Sequence, residues 1–330
     1  MPNNNQNTRL SFHWLRTALR QSTVTALAAV SIFLGLSSFA APANIAQGVA
    51  WLQSQISSAG ALVSESRVAS TPQAQCETAN TLIQLVGASS QVSGLIASLE
   101  STAAADQATE SLACAQYLRQ KLGQLTAPSA LDGRRVANGA YAAYTGMAVD
   151  NALDTGWALQ AQLKNLSAAN KTQVLAWLQA HQAADGSFAV SARASLLSTA
   201  VVLRGITQEA SQNPVAADIA TRAASYLIAQ KLASGSWGDD VALTAVVFEA
   251  VHPYAGKNPQ IAASVASYLL GAQSTDGSWQ TDTYVTALAL RALSLTDTVP
   301  TNPLEAFTTA TVRGQVTASA NGHNTAQYDH

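Results

Sequence analysis

The chain has 330 residues and a formal net charge of −2, from 17 Lys and Arg against 19 Asp and Glu. It is rich in alanine and only 11% charged, a composition that suits helices packed closely enough to bury most of their surface. No basic cluster stands out anywhere, so nucleic acid is not an expected partner.

The first forty residues carry an export pattern. Arg9, Arg16 and Arg20 precede an uncharged, mostly apolar run from Ser22 to Phe39 that ends in Ser38-Phe39-Ala40. A basic region, a short apolar region and a small-x-small exit define a secretory signal peptide. The apolar run is short for a membrane span, which takes about 20 residues; an uncleaved inner-membrane anchor is the alternative. Residues 1–40 are therefore expected to be removed. The mature chain would be secreted or periplasmic, carry a charge of −5 and have no further run long enough to span a membrane.

Residues 41–298 repeat a helix, a tight glycine turn and a second helix. The last copy, Ile261 to Leu295, is the cleanest. Ile261, Val265, Tyr268 and Ala272 share one helical face, Asp276-Gly277 ends that helix, and Val285, Leu288, Ala292 and Leu295 form a second stripe. Upstream, Val174 to Ile206 and Ala223 to Val251 share its punctuation. A glutamine (Gln182, Gln230, Gln273) comes first, then a glycine (Gly186, Gly235, Gly277), then an aromatic two residues on (Phe188, Trp237, Trp279). Thr199, Thr244 and Thr286 recur in the second helices. A weaker first copy starts near Ala43, with Gly60 in the glycine position and Leu62 in the aromatic one.

Residues 88–170 are irregular. A helix centred on Cys114 and Tyr117 resembles a first-half helix, a long loop from Thr126 to Met147 follows, and Asp154 to Leu163 matches a second-half helix. This predicts one repeat with an insertion. Self-similarity at about 40–60 residues means stacked units that share a core. In an exported protein the lone pair Cys76 and Cys114 forms either a disulfide or two buried thiols; no histidine lies near enough to make them a metal site.

The Tyr-Leu-x-x-x-Gln-x-x-x-Gly-x-Trp string from Tyr268 to Trp279 resembles the QW motif of squalene and hopene cyclases. Together with the other copies it resembles the helical-hairpin repeats of the terpenoid cyclase and protein prenyltransferase superfamily. What the resemblance implies is an all-α fold, an α/α toroid or open arc of about five hairpins. It further implies an aromatic near the next outer helix and a glutamine tying helix ends together. The superfamily's catalytic residues do not come with it. The acid segment Asp-x-Asp-Asp has no match beyond Gly238-Asp239-Asp240. The zinc ligands and the thioester motif Gly-Cys-Gly-Glu-Gln are missing as well. No metal or cofactor is expected.

One acidic set remains. Asp154, Asp240 and Asp282 stand where second helices begin, with Trp157 and Tyr284 nearby, and in a toroid they would share one rim of the central cavity. They can bind a ligand or act as acids, or they can simply cap helix N-termini. After Pro300 and Pro303 the tail, 299–330, holds one strand-like segment, Thr308 to Thr317. It resembles the start of a β-sandwich module. These features together predict an exported, non-catalytic binding or scaffolding module derived from a larger bacterial surface protein. Its partner would be a protein or an apolar small molecule. The alternative is a cyclase- or prenyltransferase-like enzyme acting on an apolar isoprenoid.

Overall fold

The computed structural model describes residues 43–296 apart from 125–130, 148–149, 191–192 and 256–257. The expected signal segment and the strand-like tail lie outside the described residues. Eleven helices make up the described part: α1 (Ala43–Ser54), α2 (Thr71–Leu85), α3 (Ser90–Asp106), α4 (Thr109–Lys121), α5 (Ala152–Gln162), α6 (Ala168–His181), α7 (Leu196–Ala210), α8 (Pro214–Ala229), α9 (Val241–Val251), α10 (Pro259–Gly271) and α11 (Thr283–Thr296). A hairpin of two three-residue strands, β1 (Phe188–Val190) and β2 (Arg193–Ser195), precedes α7.

Local chemistry sets the helix starts. Ser70 and Gln73 form a reciprocal capping box on α2, and Ser89, Asn151, Ser167, Ser195, Asn213 and Asn258 each accept a first-turn amide. Pro214 and Pro259 open α8 and α10, where an amide is not needed.

The helices form two concentric rings. α2, α4, α5, α7, α9 and α11 each pack on the next, and α11 packs back on α2. Outside them, α1 lies on α11 and α2, α3 on α2 and α4, α8 on α7 and α9, and α10 on α9 and α11, while α6 packs on α8. The fold is the all-α toroid, and it closes. Across the closure Thr81 Oγ1 donates to the Ala287 carbonyl at 2.8 Å and Gln273 Nε2 to the Asn44 carbonyl at 2.9 Å.

Two expectations need correction. Among the described residues the ring has five hairpins and one unpaired inner helix, α5, and residues 90–106 form the outer helix α3. The Cys114–Tyr117 segment is thereby an inner helix. The long segment before α5 is also no simple insertion: it replaces one outer helix but keeps the repeat's turn. Val136 N–H donates to the Ala140 carbonyl at 2.9 Å, as Ala183, Leu232 and Ser274 do to the carbonyls four residues on. Tyr141 N–H donates to Thr155 Oγ1 at 3.0 Å, as Phe188, Trp237 and Trp279 do to Thr199, Thr244 and Thr286.

The turn glycine joins one repeat to the next. Gly60, Gly139, Gly186, Gly235 and Gly277 all have φ between +80° and +94°. A Cβ on each would strike the next outer helix: Gly94 of α3, Val174 of α6, Arg222 of α8, Ser264 of α10 and Gln47 of α1. Glycine is needed there twice over, for the left-handed backbone and for the close approach. Gln182 Nε2 adds bonds to the Gly186 and Ile219 carbonyls, both 3.0 Å, and Gln273 Nε2 one to Gly277 at 2.9 Å. Gln230 breaks the pattern. It is exposed, and its side chain makes no hydrogen bond among the described residues. The buried indoles of Trp237 and Trp279 each donate to a carbonyl of their own outer helix, Leu227 and Leu269.

Candidate functional site

The inner helices run parallel, so their axis-facing stripes stack into layers. On α4 the stripe is Glu110, Cys114, Tyr117 and Lys121, at helical spacing. Facing it are Gln73, Glu77 and Asn80 of α2, Trp157 and Gln160 of α5, Arg204 of α7, Glu249 of α9, and Tyr284 and Arg291 of α11.

The middle of the axis is closed. Arg291, 1% exposed, holds Glu77 at 2.6 Å and grips Glu249 in a fork at 2.6 and 3.0 Å. Arg204 approaches Glu249 at 3.4 Å and lies over the Trp157 ring, 5.8 Å from its centroid. Lys121 donates to Asn80 at 2.8 Å and sits 5.5 Å from the Tyr117 ring centroid. Burial alone would raise the Glu249 carboxyl, but Arg204 and Arg291 outweigh it and bring the value down to about 2. A void between Glu77, Trp157, Tyr117 and the Cys76–Cys114 disulfide is about 10 Å³, room for one water at most. That disulfide spans a Cα–Cα distance of 6.0 Å and ties α2 to α4.

The mouth of the ring is the end at which the inner helices begin. Glu110 is there, part-buried, accepting from Gln73 Nε2 at 2.7 Å. Burial pushes its carboxyl up to about 7, and Glu77, Asp154 and Asp106 add to the rise. Burial also raises Asp154, against the hydrogen bond from Asn151. The Tyr284 phenol is raised by burial and then by Glu77 and Glu110. Trp157 is buried, on the axis, one turn below Asp154. The mouth thus brings together two carboxyls with elevated pKa and two aromatics.

The sequence candidates divide. Asp154, Trp157 and Tyr284 belong to the mouth. Asp240 is exposed and caps α9, accepting from Leu243 N–H at 2.7 Å. Asp282 is buried and fully engaged: it accepts from Tyr284 and Val285 N–H on its own helix, and from Ser66 Oγ and Arg67 N–H of the loop before α2. Both act as caps, which is the second of the two readings open for these aspartates. Sequence reasoning missed Glu110. Its only local signal was an acid at i−4 to Cys114 and i−7 to Tyr117 in a helix with few charges.

At the other end the axis opens into a cavity of about 580 Å³, between the C-terminal halves of α4, α5, α7 and α9.

No family model and no curated protein matches the sequence. Solved structures share the fold. A protein from Actinoplanes is 16% identical, with a TM-score of 0.60 over 77% of this chain and 99% of that one. A variant of the type II terpene cyclase MstE from Scytonema, in complex with its substrate geranylgeranyl dihydroxybenzoate, is 12% identical. Its TM-score is 0.59, covering 77% and 96%. The ent-copalyl diphosphate synthase from Streptomyces platensis is 19% identical, with a TM-score of 0.55 over 69% of this chain and 51% of its own. These define the class of fold as terpenoid cyclase-like. They also correct the expectation of a non-catalytic module, which rested on absent catalytic motifs together with a signal peptide. The ring is closed, and the folds that match it include cyclases caught with substrate and with product.

Proposed function

We propose that this chain is a terpenoid cyclase-like enzyme that protonates an apolar isoprenoid, with Glu110 as the acid. One observation carries the reading: a carboxyl held at about 7 by burial, at the mouth of a closed toroid, beside aromatic rings. A carboxylic acid that stays protonated near neutral pH can donate a proton. Transfer to an alkene carbon leaves a carbocation on the substrate and a carboxylate on Glu110. Trp157 and Tyr284 offer π-faces to that cation. Ring closure and loss of a proton from the substrate give a cyclic isomer, and the proton returns to Glu110. Burial does most to keep Glu110 protonated, and the neighbouring carboxylates Glu77 and Asp154 add to it by disfavouring another negative charge.

The likeness to the QW repeats supports the same substrate class. The same proposal takes the mature protein to act outside the cytoplasm. The Arg9–Ala40 segment and the disulfide support this, since disulfides persist in oxidising compartments. The test is incubation of the full chain with geranylgeraniol and with squalene in deuterium oxide. The expected products are cyclic isomers carrying one added deuterium, with Glu110→Gln reducing turnover at least about 100-fold. Equal turnover by Glu110→Gln, or no isomer from either substrate, would sink the proposal.

A further inference from the structure

The cavity at the far end of the axis is chemically unlike the mouth. Lys121, Lys164, Lys171 and Arg204 line it, against two carboxylates, Glu209 and Glu249. Both carboxylates are already taken: Glu209 by Lys171 at 2.8 Å, and Glu249 by Arg291 at 2.6 Å and Arg204 at 3.4 Å. Counting Glu77 and Arg291 behind the wall, five cations meet three carboxylates, in a chain whose net charge is −2. Burial lowers the Lys121 ammonium, and the neighbouring Arg291 lowers it further.

A second observation is independent of the charge count. Gln160 lines this cavity, and its Nε2 is a buried donor with no hydrogen-bond partner among the described residues. Arg204 Nη1 is also buried and makes no hydrogen bond there, only the long ion pair with Glu249. Buried donors without acceptors are costly, so such a pair signals an absent oxygen-bearing group. The rest of the wall includes Leu159, Leu163 and Pro253. A volume of about 580 Å³ exceeds what a bare ion needs and falls in the range of small-molecule sites.

We infer that this cavity binds a small organic oxyanion: its phosphate or carboxylate head meets Gln160, Arg204, Lys121 and Lys164, and its apolar body lies along Leu159, Leu163 and Pro253. The site is separate from the mouth, because the Glu77–Arg291–Glu249 network and Trp157 fill the axis between them. It does not depend on the acid chemistry proposed for Glu110.

Calorimetric titration of the full chain at low ionic strength tests it. The probes are phenyl phosphate for the phosphate arm, benzoate for the carboxylate arm, and benzyl alcohol as a neutral body of similar size. One-to-one binding of phenyl phosphate or benzoate is expected, with none of benzyl alcohol. Lys164→Glu, at an exposed position that keeps the fold, should weaken binding at least about tenfold. Gln160→Leu, which removes the unpartnered donor at similar volume, should weaken it severalfold. The inference is overturned if neither anion binds, if benzyl alcohol binds as well as they do, or if both variants bind like the parent.

Discussion

The guanidinium of Arg291, in the last helix, lies 2.6 Å from the carboxylate of Glu77 in the second, across 214 residues of sequence. This pair and the Glu249 fork hold three inner helices to one cation, so the seam of the ring is locked by a buried charge. Such a pair gains little over a well-packed apolar core, yet breaking it is expensive because the surviving charge is stranded.

Arg291→Met should therefore destabilise the protein by about 3–5 kcal/mol in urea unfolding, through Glu77 stranded and Glu249 left to Arg204. The parent's acid limb follows from Glu249. Its carboxyl lies at about 2 in the folded state against an ordinary 4.5, so it contributes stability above about 4.5 that is lost as pH falls through 2. Arg291→Met should flatten that limb.

Glu110 has the opposite sign. Its carboxyl binds a proton more tightly in the folded state, at about 7 against 4.5, so its stabilisation is complete below about 4.5 and disappears as pH rises through 7. The melting temperature of Glu110→Gln should fall less than the parent's between pH 5 and pH 8. A parallel pH dependence for the two proteins would show that Glu110 is not held protonated.

Gly186→Ala places a Cβ in a left-handed backbone at φ +93° and against the Arg222 carbonyl. Strain of about 1 kcal/mol adds to the displacement of a neighbouring helix, and a total loss of about 3 kcal/mol is expected in chemical denaturation. Gly146→Ala, at φ +80° with open space around it, should cost only the strain.

Replacing Cys76 and Cys114 with alanine opens a link between residues 38 apart. The chain-entropy relation gives about 4 kcal/mol for a loop of this length. Unfolding of the double variant, and of the reduced parent, should show a loss of that order.

Asp240→Ala and Asp282→Ala separate capping from chemistry. Asp240→Ala removes one exposed cap and should cost about 1 kcal/mol with turnover unchanged. Asp282→Ala also unties Ser66 and Arg67 from the rim, and a larger loss is expected in the same denaturation assay.

Much of the architecture was legible because it is local. The glycine that ends each outer helix, the aromatic two residues on and the stripes at helical spacing are properties of short windows, and they gave the hairpin unit and its all-α stacking. The Gly139 turn escaped notice because its outer helix was gone: Val136 to Tyr141 keeps the hydrogen bonds with none of the flanking periodicity. Gln230 misled for the converse reason, since it has the right spacing without the contact.

Sequence by itself determined the repeat, because glycine's left-handed turn and a helix's apolar stripe are dictated by neighbours within a few residues. Only the tertiary structure decided that the ring closes on Arg291 and Glu77, and that Asp282 is consumed as a cap. It alone gave Glu110 an environment that holds a proton. That carboxyl's pKa depends first on burial and then on Gln73, Glu77 and Asp154, residues of other helices that are brought to it only when six inner helices share one axis.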